Sequence, residues 1–121
     1  MHRLKVIDDF SSAHQLRGYQ GECEELHGHN WKVEVEVEGK KLDSIGLLID
    51  FKELKQIIHT VLEELDHRFL NDIEAFKDTN PSSEHIARYI YLELKNKLPF
   101  QVTLVSVTVW ESEKACAVYS E

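Results

Sequence analysis

The sequence contains one strictly alternating segment, Trp-Lys-Val-Glu-Val-Glu-Val-Glu at residues 31–38. Successive side chains of a β-strand point to opposite faces, so this pattern predicts a half-buried strand. Trp31 and the three valines would lie on the covered face, and the lysine and glutamates on the other. Gly39 and the two lysines after it indicate a turn or loop at the end of the strand.

The region after this strand predicts two amphipathic helices. Asp50 is the expected cap of the first helix, with Glu53 completing a capping-box-like pair. Apolar residues then recur at helical spacing as far as Leu65. Asn80 is the expected cap of the second helix, with Pro81 in its first turn.

Three further strands are predicted at residues 4–10, 102–110 and 115–119. The order is then two strands, two helices and two strands, which predicts an α+β fold with helices layered on an antiparallel sheet. A chain of 121 residues and 14.1 kDa usually buries one core. We therefore expect a single domain spanning residues 1–121.

The composition excludes several classes of partner. The net charge of −8 argues against a binder of nucleic acid or anionic membranes, which would need a basic face. No apolar run approaches the length of a membrane span, and the first residues lack the apolar region of a signal peptide. We therefore expect a cytoplasmic protein in which Cys23 and Cys116 are free thiols, Cys116 as a core or strand residue.

Histidines are the unusual feature, with seven in the chain. His27 and His29 share the parity of the apolar face of the alternating strand, and such a pair offers two ring nitrogens about 7 Å apart along a strand. His14, at the end of the first strand, is the preferred third ligand. Three histidines without a fourth protein ligand are typical of a catalytic zinc site. The alternative is that His27 and His29 are ordinary surface histidines.

Other residues carry proton-transfer or binding chemistry. Cys23 lies in a polar loop four residues before His27, where a zinc ion would favour its thiolate. Asp66 and His67 place a carboxylate beside an imidazole, either as a proton relay or as the polar end of a helix.

The remaining candidate is Glu111. It continues the odd-numbered face formed by Val105, Val107 and Val109 in the third predicted strand. A carboxylate there could accept hydrogen bonds from two adjacent N–H groups of a heterocycle. The alternative is that Glu111 is an exposed glutamate at the end of a strand.

Six short motifs occur together in this order. They are Phe-Ser-Ser-Ala-His at 10–14, Cys-Glu-Glu-Leu-His-Gly-His at 23–29, Ile-Asp-Phe-Lys-Glu-Leu at 49–54, Leu-Asp-His-Arg-Phe-Leu-Asn-Asp at 65–72, Asn-Pro-Ser-Ser-Glu at 80–84 and Trp-Glu-Ser at 110–112. In this combination the chain resembles the 6-pyruvoyl-tetrahydropterin synthase family, and within it the 6-carboxytetrahydropterin synthase branch.

The resemblance implies the tunnelling fold, a four-stranded antiparallel sheet with two helices packed on one face. Three subunits would join their sheets into a twelve-stranded barrel, and two trimers would stack into a hexamer. Closing the sheet removes its exposed edges. The polar row at 32, 34, 36 and 38 would then face the water-filled tunnel.

The resemblance also implies roles for individual residues. One Zn²⁺ per subunit would be held by His14, His27 and His29. Proton transfer would be carried out by Cys23 as base and by the pair Asp66 and His67, while Glu111 would anchor the pterin ring.

The implied reaction converts 7,8-dihydroneopterin triphosphate to 6-carboxy-5,6,7,8-tetrahydropterin, acetaldehyde and triphosphate, a step toward queuosine and related 7-deazapurines. One alternative is a 6-pyruvoyl-tetrahydropterin synthase. Another follows from Glu24, which comes directly after Cys23. The pattern Cys-Glu-x-x-His-Gly-His also resembles a branch that uses glutamate in place of cysteine, so Glu24 could give a second activity, making 6-hydroxymethyl-dihydropterin for folate. From a different class, a non-catalytic zinc or pterin binding module would need only the histidines and Glu111.

Overall fold

Four strands and two helices form the fold in the computed structural model, which describes residues 1–18 and 26–121 without the side chain of His27. The elements follow the order β1 (His2–His14), β2 (His27–Gly39), α1 (Phe51–Leu62), α2 (Ser83–Lys95), β3 (Thr103–Trp110) and β4 (Cys116–Tyr119). Two short 3₁₀ turns, Leu70–Asp72 and Glu74–Phe76, lie between the helices. The candidate residues Cys23 and Glu24 lie outside the described residues.

The sheet has the order β1-β2-β3-β4, and every neighbouring pair is antiparallel. The predicted α+β class is therefore confirmed. Strand β1 is longer than predicted, because it pairs with β2 without interruption from His2 opposite Gly39 to His14 opposite His27. This extended pairing carries β2 back through the two histidines, as the parity of the sequence suggested.

Both helices cover one face of the sheet. The apolar residues of the alternating segment, from Trp31 to Val37, are completely buried and belong to the same core as Leu54 of α1 and Ile90 of α2. On the opposite face Lys32 is exposed and the glutamates of the row are partly exposed. The predicted half-buried strand is thus observed, with its apolar side against the helices.

The helix ends are partly as predicted. Asp50 caps α1 by accepting a hydrogen bond from the backbone N–H of Lys52 at 2.8 Å. Helix α1 ends at Leu62, although Leu65 remains buried in the turn that follows. The cap predicted for α2 was wrong. Ser82 caps this helix, because the side chain of Asn80 is bound to the distant backbone of Arg17.

Strands β3 and β4 differ from the prediction in detail. A register shift lets Glu36 pair with Ser106 while Val37 pairs with Leu104. Such a bulge changes the parity of the strand, so Leu104 is buried where the sequence pattern predicted Val105. Cys116 begins β4 as a strand residue, but it is exposed and therefore not a core residue.

Membrane insertion by a helix has no support in the described part of the chain. None of the helices there combines the length and the apolar character that crossing a bilayer requires.

The end of β2 generates a stability prediction. A Cβ added at Gly39 would collide with the side chain of Leu48 and approach the carbonyl oxygen of Gln101 to 2.6 Å. Overpacking of this kind costs about 1–3 kcal/mol. Gly39→Ala should therefore lower the free energy of unfolding, measured by urea denaturation, by that amount.

The matched control is Gly28→Ala in the same strand, where an added Cβ meets no atom within 4 Å. This variant should unfold at nearly the wild-type urea concentration. Equal stability of the two variants would contradict the packing described at Gly39.

Candidate metal centre

His14 is the last residue of β1, and its side chain is only 1% exposed. Its Nδ1 lies 2.8 Å from the carbonyl oxygen of Pro81. A carbonyl oxygen can only accept a hydrogen bond, so Nδ1 must carry the proton. The contact therefore selects the tautomer in which Nε2 is the nitrogen that can ligate a metal ion.

His29 lies beside His14 on the neighbouring strand. Its register partner is Ser12, and the centroids of the two imidazoles are 5.3 Å apart. Both rings meet the buried indole of Trp31 edge-on, at 4.9 Å from His14 and 5.1 Å from His29. The indole N–H donates to the carbonyl oxygen of Ser12 at 3.2 Å. Trp31 therefore forms a rigid support for both imidazoles.

Glu111 completes the cluster from the end of β3. One carboxylate oxygen lies 3.4 Å from Nε2 of His14 and 3.1 Å from Nε2 of His29. One donor atom from each of the three residues lies within 4.8 Å of the others. Two imidazoles and a carboxylate are a donor set suited to a divalent transition metal. These residues could therefore hold one metal ion.

This cluster contains two of the three histidines that the sequence predicts as metal ligands. His14 and His29 are brought together, as expected for two ligands of one ion. His27 is the register partner of His14, but its side chain lies outside the described residues, so its role as a ligand stays a prediction. The carboxylate of Glu111 as a possible ligand was missed by the sequence reasoning, because its approach to the histidines depends on how β3 pairs with β2.

Asp66 and His67 lie on the outer edge of β1, where they contact the backbone of Ser11, three residues before His14. The backbone N–H of Ser11 donates to the carboxylate of Asp66 at 2.8 Å, and the backbone N–H of His67 donates to the carbonyl oxygen of Ser11 at 2.6 Å. Ala13 then donates to the carbonyl oxygen of Arg68 at 3.1 Å. The last residues of β1 therefore carry both His14 and the backbone contacts of this pair.

The two side chains of the pair also contact each other. Nδ1 of His67 donates to Asp66 at 2.9 Å, while the imidazole is 82% exposed. The backbone of His67 has a positive φ of 55°, a strained conformation that is found more often at functional sites than elsewhere. The hydrogen bond from the N–H of Ser11, helped by His67, lowers the pKa of Asp66 below its usual 3.8. Asp66 is thus ionised at neutral pH and orients the imidazole of His67 through its Nδ1.

Comparison with known proteins identifies this arrangement. The family described as 6-pyruvoyl tetrahydropterin synthase matches residues 3–121 of the chain. This chain belongs to the 6-pyruvoyl tetrahydropterin synthase family.

Individual members of the family are similar over most of their length. The dihydroneopterin monophosphate aldolase of Pyrococcus furiosus is 39% identical over 112 residues, covering 93% of this chain and 91% of that protein. The 6-carboxy-5,6,7,8-tetrahydropterin synthase of Haemophilus influenzae is 31% identical over 143 aligned positions, covering both chains completely. The structure of 6-pyruvoyl tetrahydropterin synthase from Caenorhabditis elegans superposes with a TM-score of 0.89 at 31% identity, covering 99% of this chain and 95% of that one.

Membership of the family establishes the expected fold and the expected class of enzyme. The four-stranded sheet with two helices is the tunnelling fold of the 6-pyruvoyl tetrahydropterin synthase family. The chain is an enzyme, a lyase with tetrahydropterin-synthase-type activity. The resemblance drawn from the six sequence motifs is therefore confirmed.

The lowered pKa of Asp66 predicts a pH-dependent contribution to the stability of this family member. Because the folded-state pKa lies below the usual 3.8, the ionised carboxylate stabilises the fold above about pH 4. That contribution is lost as the pH falls through the folded-state pKa. Asp66→Asn should lower the free energy of unfolding by about 1 kcal/mol at pH 7, a modest value because the side chain is partly exposed.

Urea denaturation across pH 2–7 measures this effect, with the exposed Asp78→Asn as control. The difference in the free energy of unfolding between the wild type and Asp66→Asn should decrease toward zero at the acid end of this range. A difference that stays constant over the whole range would contradict the assigned ionisation of Asp66.

Proposed function

We propose that the protein converts 7,8-dihydroneopterin triphosphate and one water to 6-carboxy-5,6,7,8-tetrahydropterin, acetaldehyde and triphosphate, a step toward queuosine and related 7-deazapurines. The observation that carries this proposal is the convergence of two sites on the end of β1. His14 supplies a metal donor from this segment, and the backbone of Ser11 holds Asp66 and His67 on its edge. The related protein of Haemophilus influenzae, which is similar over the full length of both chains, is named for the synthesis of 6-carboxy-5,6,7,8-tetrahydropterin.

The proposed cofactor is one Zn²⁺ per subunit. His14 and His29 would hold it, together with His27 as the sequence predicts. The donor set fits zinc because imidazole nitrogens are among its preferred ligands, and because the contact with Pro81 leaves His14 in the tautomer that can ligate. When bound, the ion would supply Lewis-acid polarisation of a substrate oxygen.

Glu111 is proposed to anchor the pterin ring. Its carboxylate is about one-third exposed, and one of its oxygens lies 3.5 Å from the hydroxyl of Ser83. Both residues line a cavity of about 400 Å³ between the start of α2 and β4. A carboxylate on such a cavity can accept hydrogen bonds from two neighbouring N–H groups of a heterocycle. The same carboxylate lies close enough to His14 and His29 that it could also ligate a metal ion held by them.

Proton transfer is assigned to two groups. Asp66 holds the Nδ1 proton of His67, so Nε2 of His67 is the atom that takes a proton from the substrate or returns it. Cys23 is proposed as the second base, on the evidence of its motif. A binding module without catalysis would use the histidines and Glu111, but it would have no use for the oriented pair of Asp66 and His67.

A second activity is supported by one feature of the sequence. Glu24 directly follows Cys23, and the aldolase of Pyrococcus furiosus is 39% identical over 93% of this chain. We propose Glu24 as the residue that would support cleavage of a dihydroneopterin side chain to 6-hydroxymethyl-dihydropterin, for folate. The remaining alternative is a 6-pyruvoyl tetrahydropterin synthase activity, which the name of the similar Caenorhabditis elegans protein states.

The proposed assembly is a homohexamer made of two trimers. Strands β1 and β4 form the two edges of the sheet, and pairing between copies would close three sheets into a twelve-stranded barrel. The polar row on the uncovered face of β2 would then line the tunnel. We also propose that residues 1–121 act as one domain. A cytoplasmic location is proposed because Cys116 is an exposed free thiol, which a reducing compartment preserves.

Product analysis of two variants tests the proposed reactions. With 7,8-dihydroneopterin triphosphate as substrate, the wild type should release 6-carboxytetrahydropterin and acetaldehyde in equal amounts. Cys23→Ala should lower the rate at least 100-fold with the metal still bound, because a general base contributes that much. Glu24→Ala should stop the formation of 6-hydroxymethyl-dihydropterin and leave the formation of 6-carboxytetrahydropterin unchanged. Mass spectrometry distinguishes the two products.

The control is Glu25→Ala, which removes a neighbouring acid to which no role is assigned. Unchanged turnover in Cys23→Ala would eliminate the assigned base. Loss of both products in the cysteine variant alone would leave Glu24 without a role.

A further inference from the structure

Two asparagine side chains bind the backbone of the segment that follows His14. Asn71 accepts a hydrogen bond from the N–H of Gln15 at 2.9 Å and donates to its carbonyl oxygen at 2.8 Å. Asn80 makes the same two bonds with Arg17, both at 2.9 Å. Each carboxamide thus offers the acceptor and the donor that a neighbouring strand would offer. We name these four hydrogen bonds the asparagine clamp.

The clamp begins where the sheet ends. His14 is the last residue of β1 that pairs with β2, and Gln15 is the first residue held by the clamp. Asn71 is a buried polar residue, 9% exposed, and its own carbonyl oxygen accepts a hydrogen bond from the guanidinium of Arg17 at 3.3 Å. The chain beyond His14 is therefore held on a buried anchor as soon as it leaves the sheet.

Asn80 also connects the clamp to the imidazole of His14. The next residue, Pro81, supplies the carbonyl oxygen that binds Nδ1 of His14. Residues 14–17 and 80–81 therefore form a closed ring of covalent and hydrogen bonds. His85 of α2 strengthens this ring, because its Nδ1 donates to the carbonyl oxygen of Asn80 at 2.7 Å.

We propose that Asn71 and Asn80 are positioning residues that hold His14 in place as a metal ligand, an inference that rests on the proposed metal site. The clamp fixes the backbone beyond His14, and through Asn80 it fixes the carbonyl group of Pro81. Both restraints keep Nε2 of His14 directed at the donor atoms of His29 and Glu111. Loss of groups that orient a metal ligand typically weakens metal binding 10–100-fold.

Asn71→Asp and Asn80→Asp test this inference with almost no change in shape. Aspartate keeps the acceptor for the backbone N–H, but it places a carboxylate oxygen against the carbonyl oxygen of Gln15 or Arg17. The dissociation constant for Co²⁺, measured in the full chain by competition with a chelator, should rise 10–100-fold in each variant. The visible absorption spectrum of the cobalt-loaded protein should also change, because it reports the ligand geometry.

Asn96→Asp, at the exposed end of α2, is the matched control and should bind Co²⁺ as the wild type does. Thermal unfolding of the metal-free proteins separates positioning from stability, because a purely structural role would lower the melting temperature without changing the cobalt spectrum. If an aspartate variant does not fold, Asn71→Ser or Asn80→Ser removes the clamp without adding charge.

The possible outcomes test the positioning role of the asparagines separately from the proposed metal site. Wild-type cobalt affinity and an unchanged spectrum in the folded clamp variants would overturn the role of the asparagines and leave the metal site intact. Failure of the wild-type protein itself to bind Co²⁺ would contradict the proposed metal site, and the role of the clamp with it.

Discussion

The register between β1 and β2 is the constraint on which the rest of the site depends. The two strands pair without a shift over all thirteen residues of β1, from His2 to His14. Because side chains alternate along a strand, a slip of one residue would move every buried side chain of β1 to the opposite face. The core residues Val6 and Phe10 resist such a slip, and the same alternation delivers His14 to the face that carries His29. The apolar core therefore sets the geometry of the polar site at its end.

The buried polar side chains of His14 and Ser12, at the end of this core, have hydrogen-bond partners. An unpaired polar group in such a place would cost free energy. His14 donates to the carbonyl oxygen of Pro81, and the hydroxyl of Ser12 donates to the carbonyl oxygen of Leu65 and accepts from the N–H of Arg68. These partners come from segments far away in the sequence. The turn after α1 and the start of α2 are thus needed both for the stability of the site and for its geometry.

Local patterns in the sequence predicted the elements, and long-range contacts account for what they missed. The alternation at residues 31–38 and the cap at Asp50 depend on neighbouring residues only, and both predictions were correct. Asn80 is a good cap by its chemistry, but its carboxamide binds Arg17, 63 residues away, which leaves Ser82 as the cap. Likewise no local pattern reveals the bulge that buries Leu104 in place of Val105.

The site shows the same division. The parity of the alternating strand predicted that His27 and His29 share a face, and the position of His14 at the end of the first strand made it the preferred third ligand. The structure places the imidazole of His14 beside that of His29. The approach of Glu111 to both histidines needs the register of β3, and the support of His14 by Pro81 needs the position of α2; the sequence contains no local signal for either. The roles assigned to Cys23, Glu24 and His27 follow from their motif and remain predictions.

Anomalous diffraction from crystals of the zinc-loaded protein, collected on both sides of the zinc absorption edge, tests the central claim most directly. The account predicts one strong peak per subunit within about 2.2 Å of Nε2 of both His14 and His29. A crystal with no peak between these two nitrogens, or with its zinc elsewhere on the chain, would contradict it.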